Sequence, residues 1–209
     1  MDDFSGVGAM LKRIRGLQPT TQAPPTWRDP VREQLHRMPV DPDHAKLVLV
    51  APECPVRRGH VGSEAARAAA ETWRADATLR LLVLSGPTGR GKTVVATWLA
   101  AHEPGTLWVS AKDVRVGEAW SAVHGRCLYV PQLVIDDLGQ EASEWATKEL
   151  AALIESRWDK GKRTIITTNL TPSGQSKNLE TTYGARLWSR LGSPRSLIVA
   201  CGGMDMRRA

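Results

Sequence analysis

The chain has 209 residues, 42% of them hydrophobic and 24% charged, enough to bury one full core with a small appendage and too little for two large domains. Its 28 basic side chains exceed the 22 acidic ones by six, but nine of the basic and seven of the acidic residues lie in the first 60, so neither part owns the excess. Charge alone is therefore weak support for a polyanionic partner. Cys54, Cys127 and Cys201 are odd in number, widely spaced and without a CxxC pair, which argues against a disulfide framework or a zinc site and suits a reducing compartment. No apolar run approaches the roughly 18 residues of a membrane helix, so no membrane association and a cytoplasmic location are expected.

In chain order, residues 1–60 carry eight prolines and read as an irregular extension outside a packed domain at 61–209. Two helical fragments are expected within it. Residues 5–16 place Val7, Met10, Leu11 and Ile14 at helical spacing, and residues 29–38 open with Asp29 before Pro30, a cap followed by the proline that helices accept at their first position. Such fragments either grip a partner or fold back on the core. From Ser63 onward helix and strand alternate: a capped alanine-rich helix over 63–77, a strand over 79–84, a glycine loop, a helix over 93–102, and strands at 107–109 and 133–135. A long helix over 142–160, a β-branched strand at 164–167, a helix over 178–191 and a strand at 196–200 complete the pattern. Apolar strands without polar alternation, separated by helices, predict an α/β fold, a parallel sheet sandwiched by helices, and the GxxxxGKT match of the glycine loop makes it one of the P-loop NTPase class.

The glycine loop carries the chemistry. Gly86, Pro87, Thr88, Gly89, Arg90, Gly91, Lys92 and Thr93 match GxxxxGKT in full, between an apolar strand and a helix. The glycines let backbone N–H groups turn inward around a β-phosphate, Lys92 reaches the β- and γ-oxygens, and the Thr93 hydroxyl ligates magnesium, so ATP and Mg2+ are the expected ligands. The strand at 133–135 then delivers Asp136 and Asp137 to the edge where ligands of open parallel sheets bind. Asp136 is expected to hold the metal, and Asp137 to orient and deprotonate the attacking water. Asn169, at the end of the next strand, is placed to hydrogen-bond the γ-phosphate or that water, although asparagine is also a good turn former.

Asp-Asp-Leu-Gly at 136–139, the helix end Glu155, Ser156, Arg157 and Trp158, Thr-Thr-Asn-Leu at 167–170, and the run from Tyr183 to Leu191 together resemble the AAA+ ATPases of the DnaC and IstB type over about residues 80–200. The resemblance implies an oligomeric ATPase that hydrolyses ATP to ADP and phosphate and lacks a helical lid after the last strand. It also implies that Asn169 is the sensor-1 residue and that Arg190 is an arginine finger reaching the ATP of a neighbouring copy, with Arg186 on the same helix face. A finger supplied in trans is worth on the order of a thousandfold in comparable NTPases. The family function implied is loading of a replicative DNA helicase, with residues 1–60 as the docking arm; a transposition helper acting on duplex DNA and an ATP-gated adaptor with little turnover are the alternatives. In one departure, residues 110–132 are only 23 long where the family carries a longer insert that grips single-stranded DNA. Lys112, Arg115, His124 and Arg126 remain there as candidate phosphate contacts or as plain solvated residues. Trp73, Trp98, Trp145 and Trp158 are expected to pack, and the five histidines show no ligand spacing.

Overall fold

The computed structural model describes residues 30–49, 54, 64–174 and 176–202. The expected helix at 5–16, the caps Asp29 and Ser63, and most of residues 50–63 lie outside them. Three helices come first, α1 (Pro30–His36), α2 (Pro42–Leu49) and α3 (Glu64–Ala75). They are followed by β1 (Leu81–Ser85), α4 (Lys92–Ala101), β2 (Leu107–Ser110), a 3-10 turn (Ala111–Asp113) and α5 (Glu118–Tyr129). The chain continues as β3 (Gln132–Leu138), α6 (Glu144–Asp159), β4 (Arg163–Thr168), α7 (Leu179–Leu191) and β5 (Ser196–Ala200). The five strands form one parallel sheet in the order β2-β3-β4-β1-β5.

The pleat explains why the strands read as unbroken apolar runs. Leu82, Leu84, Val134 and Ile165 belong to the core on one face, shared with α1 to α4, whereas Leu81, Val83, Leu133, Ile135 and Ile166 belong to the core on the other, shared with α5 to α7. Successive side chains alternate between faces, and both faces are covered, so residues 81–84 of β1 and 133–135 of β3 are apolar throughout, while β4, the middle strand, buries Thr164, Thr167 and Thr168 with their hydroxyls hydrogen-bonded. Of the tryptophans, Trp73 and Trp98 are buried as expected, but Trp145 is 37% exposed and Trp158 half-buried.

Of the two uses open to the fragments of the first 60 residues, residues 30–49 take the second and fold back on the core. Leu35, Met38 and Val48 are buried in the same core cluster as Val94, Val95 and Trp98 of α4, and Gln34 Nε2 donates to the Thr106 carbonyl at 2.9 Å. Pro30 begins α1 as expected, whereas Pro42, counted among the breaks, is the first residue of α2, and Asp41 caps that helix by accepting from the Asp43 N–H at 2.8 Å. The predicted strands and helices otherwise match within one to three residues. Unforeseen are α2 and α5; also, Asn178 caps α7 through a capping box with Thr181 rather than lying inside it, and α7 is kinked at Gly184, where φ is 86°.

Arg157, in the middle of the second core, is wholly buried and satisfied by acceptors from the end of α5 and from β4. It donates to Thr164 Oγ1 at 3.0 Å, the Arg163 carbonyl at 2.5 Å, the Val130 carbonyl at 3.1 Å and the Cys127 carbonyl. It thereby fastens the end of α5 and the start of β4 to α6. Burial lowers the guanidinium pKa to about 10, which leaves it charged at neutral pH. Arg157→Ala would strand these carbonyls in a dry interior, and we expect a loss of about 3 kcal/mol or more in urea denaturation.

Candidate functional site

All the strands end at one edge, and the polar residues gather there. β1 stops at Ser85, and the loop that follows turns through Gly86, Gly89 and Gly91 at φ of 150°, 79° and 74°. Gly86 has a second reason to be glycine, since a Cβ there would stand 2.3 Å from the Cys201 carbonyl oxygen behind the loop. Gly91 in the left-handed conformation then serves as N-cap of α4, aiming that helix's first N–H groups back into the loop.

Lys92 is 5% exposed. Its ammonium donates to the carbonyls of Gly86 at 2.6 Å and Pro87 at 2.8 Å and to Asn169 Oδ1 at 2.9 Å, which joins the loop to the end of β4. One residue on, Thr93 Oγ1 donates to Asp136 Oδ1 at 3.1 Å, and Thr167 Oγ1 donates to the same oxygen at 2.6 Å. Burial raises the Asp136 pKa, and the neighbouring Asp137 adds to the rise, against the two hydroxyl bonds and the charge of His44, which lower it. A largely desolvated carboxylate beside a threonine hydroxyl is a donor set that a hard, oxygen-seeking dication such as magnesium would fit.

Asp137 is the one non-glycine residue with positive φ, 57°, among the described residues. The β3–β4 register slips between Ile135 and Leu138, so the strand bulges where the two carboxylates fall. The bulge separates the Asp137 side chain from Asp136, and the Asp137 N–H donates to Thr167 Oγ1 at 2.9 Å. Asp137 lines a cavity of about 380 Å³ together with Asn169, Gln140, the loop and α4 start from Thr88 to Val94, and two residues of α2, His44 and Leu47.

The sequence analysis missed His44, Leu47, Gln140 and Thr167. Thr167 stands inside the Thr-Thr-Asn-Leu motif and could have been read from it. His44 needed the Asp41-Pro42 cap, the same signal that was used at Asp29-Pro30. Among the described residues there is no cluster of three or more His, Cys, Asp or Glu side chains that could hold a metal. Lys112, Arg115 and Arg126 are exposed, while His124 is half-buried, 3.5 Å from Glu149 and with its ring tilted at 48° to that of Trp120.

Arg186 and Arg190 do not line this cavity. Arg186 is exposed, and Arg190, one turn later, forks onto Asp159 at 3.0 and 3.2 Å with Glu155 4.0 Å away. The kink at Gly184 precedes both, so they share the C-terminal half of α7, where the Arg190 guanidinium also donates to the Arg186 carbonyl at 3.2 Å. Tyr183 links this helix to the acid loop: its hydroxyl donates to Glu141 Oε1 at 2.6 Å, and Glu141 also accepts from the Gly139 N–H at 2.9 Å.

No family model matches the sequence, and neither does any curated protein. Solved structures do match. The DnaC helicase loader aligns over 78% of this chain and all of its own, with TM-score 0.56 and 20% identity, and DnaI over 82% and 94%, with 0.54 and 21%. This chain has the fold of the DnaC-type AAA+ ATPases. Domain III of the Thermotoga maritima replication initiation protein DnaA shares the fold at TM-score 0.51 and 19% identity, over 79% of this chain and 69% of its own. In longer DnaA structures the match spans under half of the chain, 44% to 45%.

Two substitutions test this geometry. Asp136→Asn removes a charge that burial disfavours, so the protein should gain about 1 kcal/mol in thermal or urea unfolding. Gly86→Ala combines a forbidden φ with a backbone clash and should cost more than about 2 kcal/mol in the same assay.

Proposed function

We propose that this chain is an ATPase that loads a replicative DNA helicase, working as an oligomer of itself. The observation that carries the reading is the convergence of Lys92, Thr93, Asp136, Asp137 and Asn169 at one sheet edge, on a fold shared with the DnaC and DnaI loaders. The loop from Gly86 to Gly91 and the first turn of α4 would hold the phosphates. Lys92 would leave the Gly86 and Pro87 carbonyls for the β- and γ-oxygens while keeping Asn169 within reach. Magnesium, held by Thr93 and Asp136, would neutralise charge on the phosphates. Asp137, turned off the metal by the bulge, would orient the attacking water and take its proton, which requires a carboxylate near the γ-phosphate that does not ligate the ion.

Among the described residues, Lys92 and Arg90 are the only lysine or arginine side chains that line the cavity, so the charge that develops on transfer would be short of a partner within one subunit. Arg190 of a neighbouring copy would supply it, with Arg186 beside it on the same exposed side of α7. Hydrolysis would then require assembly. Lys112, Arg115 and Arg126, exposed beside α5, are the candidate contacts for single-stranded DNA, and residues 1–29 remain the candidate docking arm for the helicase.

Arg190→Ala should leave ATP affinity within about twofold and lower steady-state turnover by on the order of a thousandfold. Turnover by a proven monomer at the wild-type rate would sink the trans assignment. Co-sedimentation of the purified protein with the replicative helicase of its own host, in the presence of ATP, tests the loader reading itself. Stable association with a transposase on duplex DNA, and none with the helicase, would replace it with the transposition helper.

A further inference from the structure

We propose that Tyr183 is a positioning residue for turnover: its hydrogen bond to Glu141 fastens α7, at its kink, to the turn that carries Asp137, and so sets where Arg186 and Arg190 stand against the nucleotide of a neighbouring copy. The inference rests on the reading of Arg190 as a finger supplied in trans and adds the residue that aims it.

One end of the link is rigid. The turn after Asp137 is closed by the Gln140 N–H on the Asp137 carbonyl at 3.1 Å and by the Gly139 N–H on Glu141 Oε1 at 2.9 Å. Thr168 Oγ1, one residue before Asn169, donates to the Leu138 carbonyl at 2.5 Å and ties the turn to β4. Asp137, Gln140 and Asn169 all line the cavity, so the network that presents Glu141 to α7 also holds a wall of the site.

The other end is where α7 needs support. Gly184 leaves the helical region at φ 86° and ψ 169°, so two helical segments meet there and the backbone ladder does not by itself fix the direction of the second. Side chains on either side of the break must do so. Tyr183, 6% exposed, is anchored through its hydroxyl to Glu141 Oε1 at 2.6 Å, while Leu187 and Leu191 are buried in the second core. A phenylalanine would fill the same space, so what the hydroxyl adds is the tie. Arg186 and Arg190 come after the break and lie outside the cavity of their own chain.

The test uses full-length protein under conditions in which the wild type hydrolyses ATP. Tyr183→Phe keeps the ring and removes only the donor. It should bind Mg-ATPγS within about twofold of the wild type and turn ATP over about tenfold more slowly, as loss of a hydrogen bond to a carboxylate allows. Glu141→Ala should match it, whereas Glu141→Gln, whose amide oxygen still accepts, should keep most of the rate. Mixed oligomers locate the defect. Asp137→Asn subunits have a disabled site and an intact finger, so adding them to Tyr183→Phe subunits should raise turnover above that of either variant alone. Wild-type turnover in Tyr183→Phe overturns the inference. So does a slow rate that Asp137→Asn subunits fail to restore, which would place the effect on the Tyr183→Phe subunit's own site, and so does a parallel loss of ATPγS affinity and melting temperature, which would assign Tyr183 to packing. If Arg190→Ala retains the wild-type rate, the trans reading fails instead, whatever the Tyr183 variants do.

Discussion

A carboxylate that burial disfavours holds three elements of this protein in register. Asp136 Oδ1 accepts from Thr93 on α4 and from Thr167 on β4, while the acid itself ends the straight part of β3. Thr167 Oγ1 in turn accepts the Asp137 N–H, so one hydroxyl joins the two acids. Desolvation and the second carboxylate oppose the charge, and only two hydroxyl donors and the charge of His44 offset them. Such a site is less stable than its surroundings would allow, which is the usual condition of a place built to receive a cation. The bulge at Asp137 follows from the same constraint: a straight strand would send the next side chain to the opposite face, whereas the left-handed residue turns it along the edge into the cavity.

The sheet, its helices and the loop from Gly86 to Thr93 were legible because their signals are local. Continuous apolar runs can only be strands covered on both faces, and a GKT between strand and helix leaves few alternatives. What stayed hidden depends on contacts far apart in sequence. Nothing near His44 tells that α2 lies over α4 some fifty residues later, and Pro42, counted as a breaker, was a helix start. The short segment before β3 was assigned no element, yet α5 forms there because Trp120 and Cys127 are buried against the second core. Arg157 was visible only as part of a motif, and its role as a fastener for α5 and β4 emerges only in three dimensions.

The position of α2 also changes what the N-terminal region means. A docking arm tethered to a core by loose chain can report nucleotide state only through changes in the core. Here α1 and α2 are part of the core, and one of them lines the cavity. Under the proposed function, a partner that engages residues preceding Pro30 would be joined through α1 to α2, the helix that lines the cavity, with no intervening domain.

The other link runs from the acid loop to α7. Glu141 accepts from Gly139 N–H, two residues after Asp137, and from the Tyr183 hydroxyl, one residue before the kink. Any shift of the acid loop toward a bound phosphate is thus felt where α7 changes direction, ahead of Arg186 and Arg190. Arg190 starts with one guanidinium nitrogen on both oxygens of Asp159, which is 64% exposed, and with the half-buried Glu155 4.0 Å away. The exposed Asp159 pair is worth at most about 1 kcal/mol, less than a guanidinium gains from a desolvated phosphate, and Glu155 is beyond hydrogen-bond distance. Under the proposed function, leaving Asp159 is unfavourable in an isolated chain and favourable once a neighbour presents ATP. The weak pair keeps the guanidinium extended and ready without competing against the phosphate, so nucleotide, and not protein concentration alone, would govern when the subunits engage.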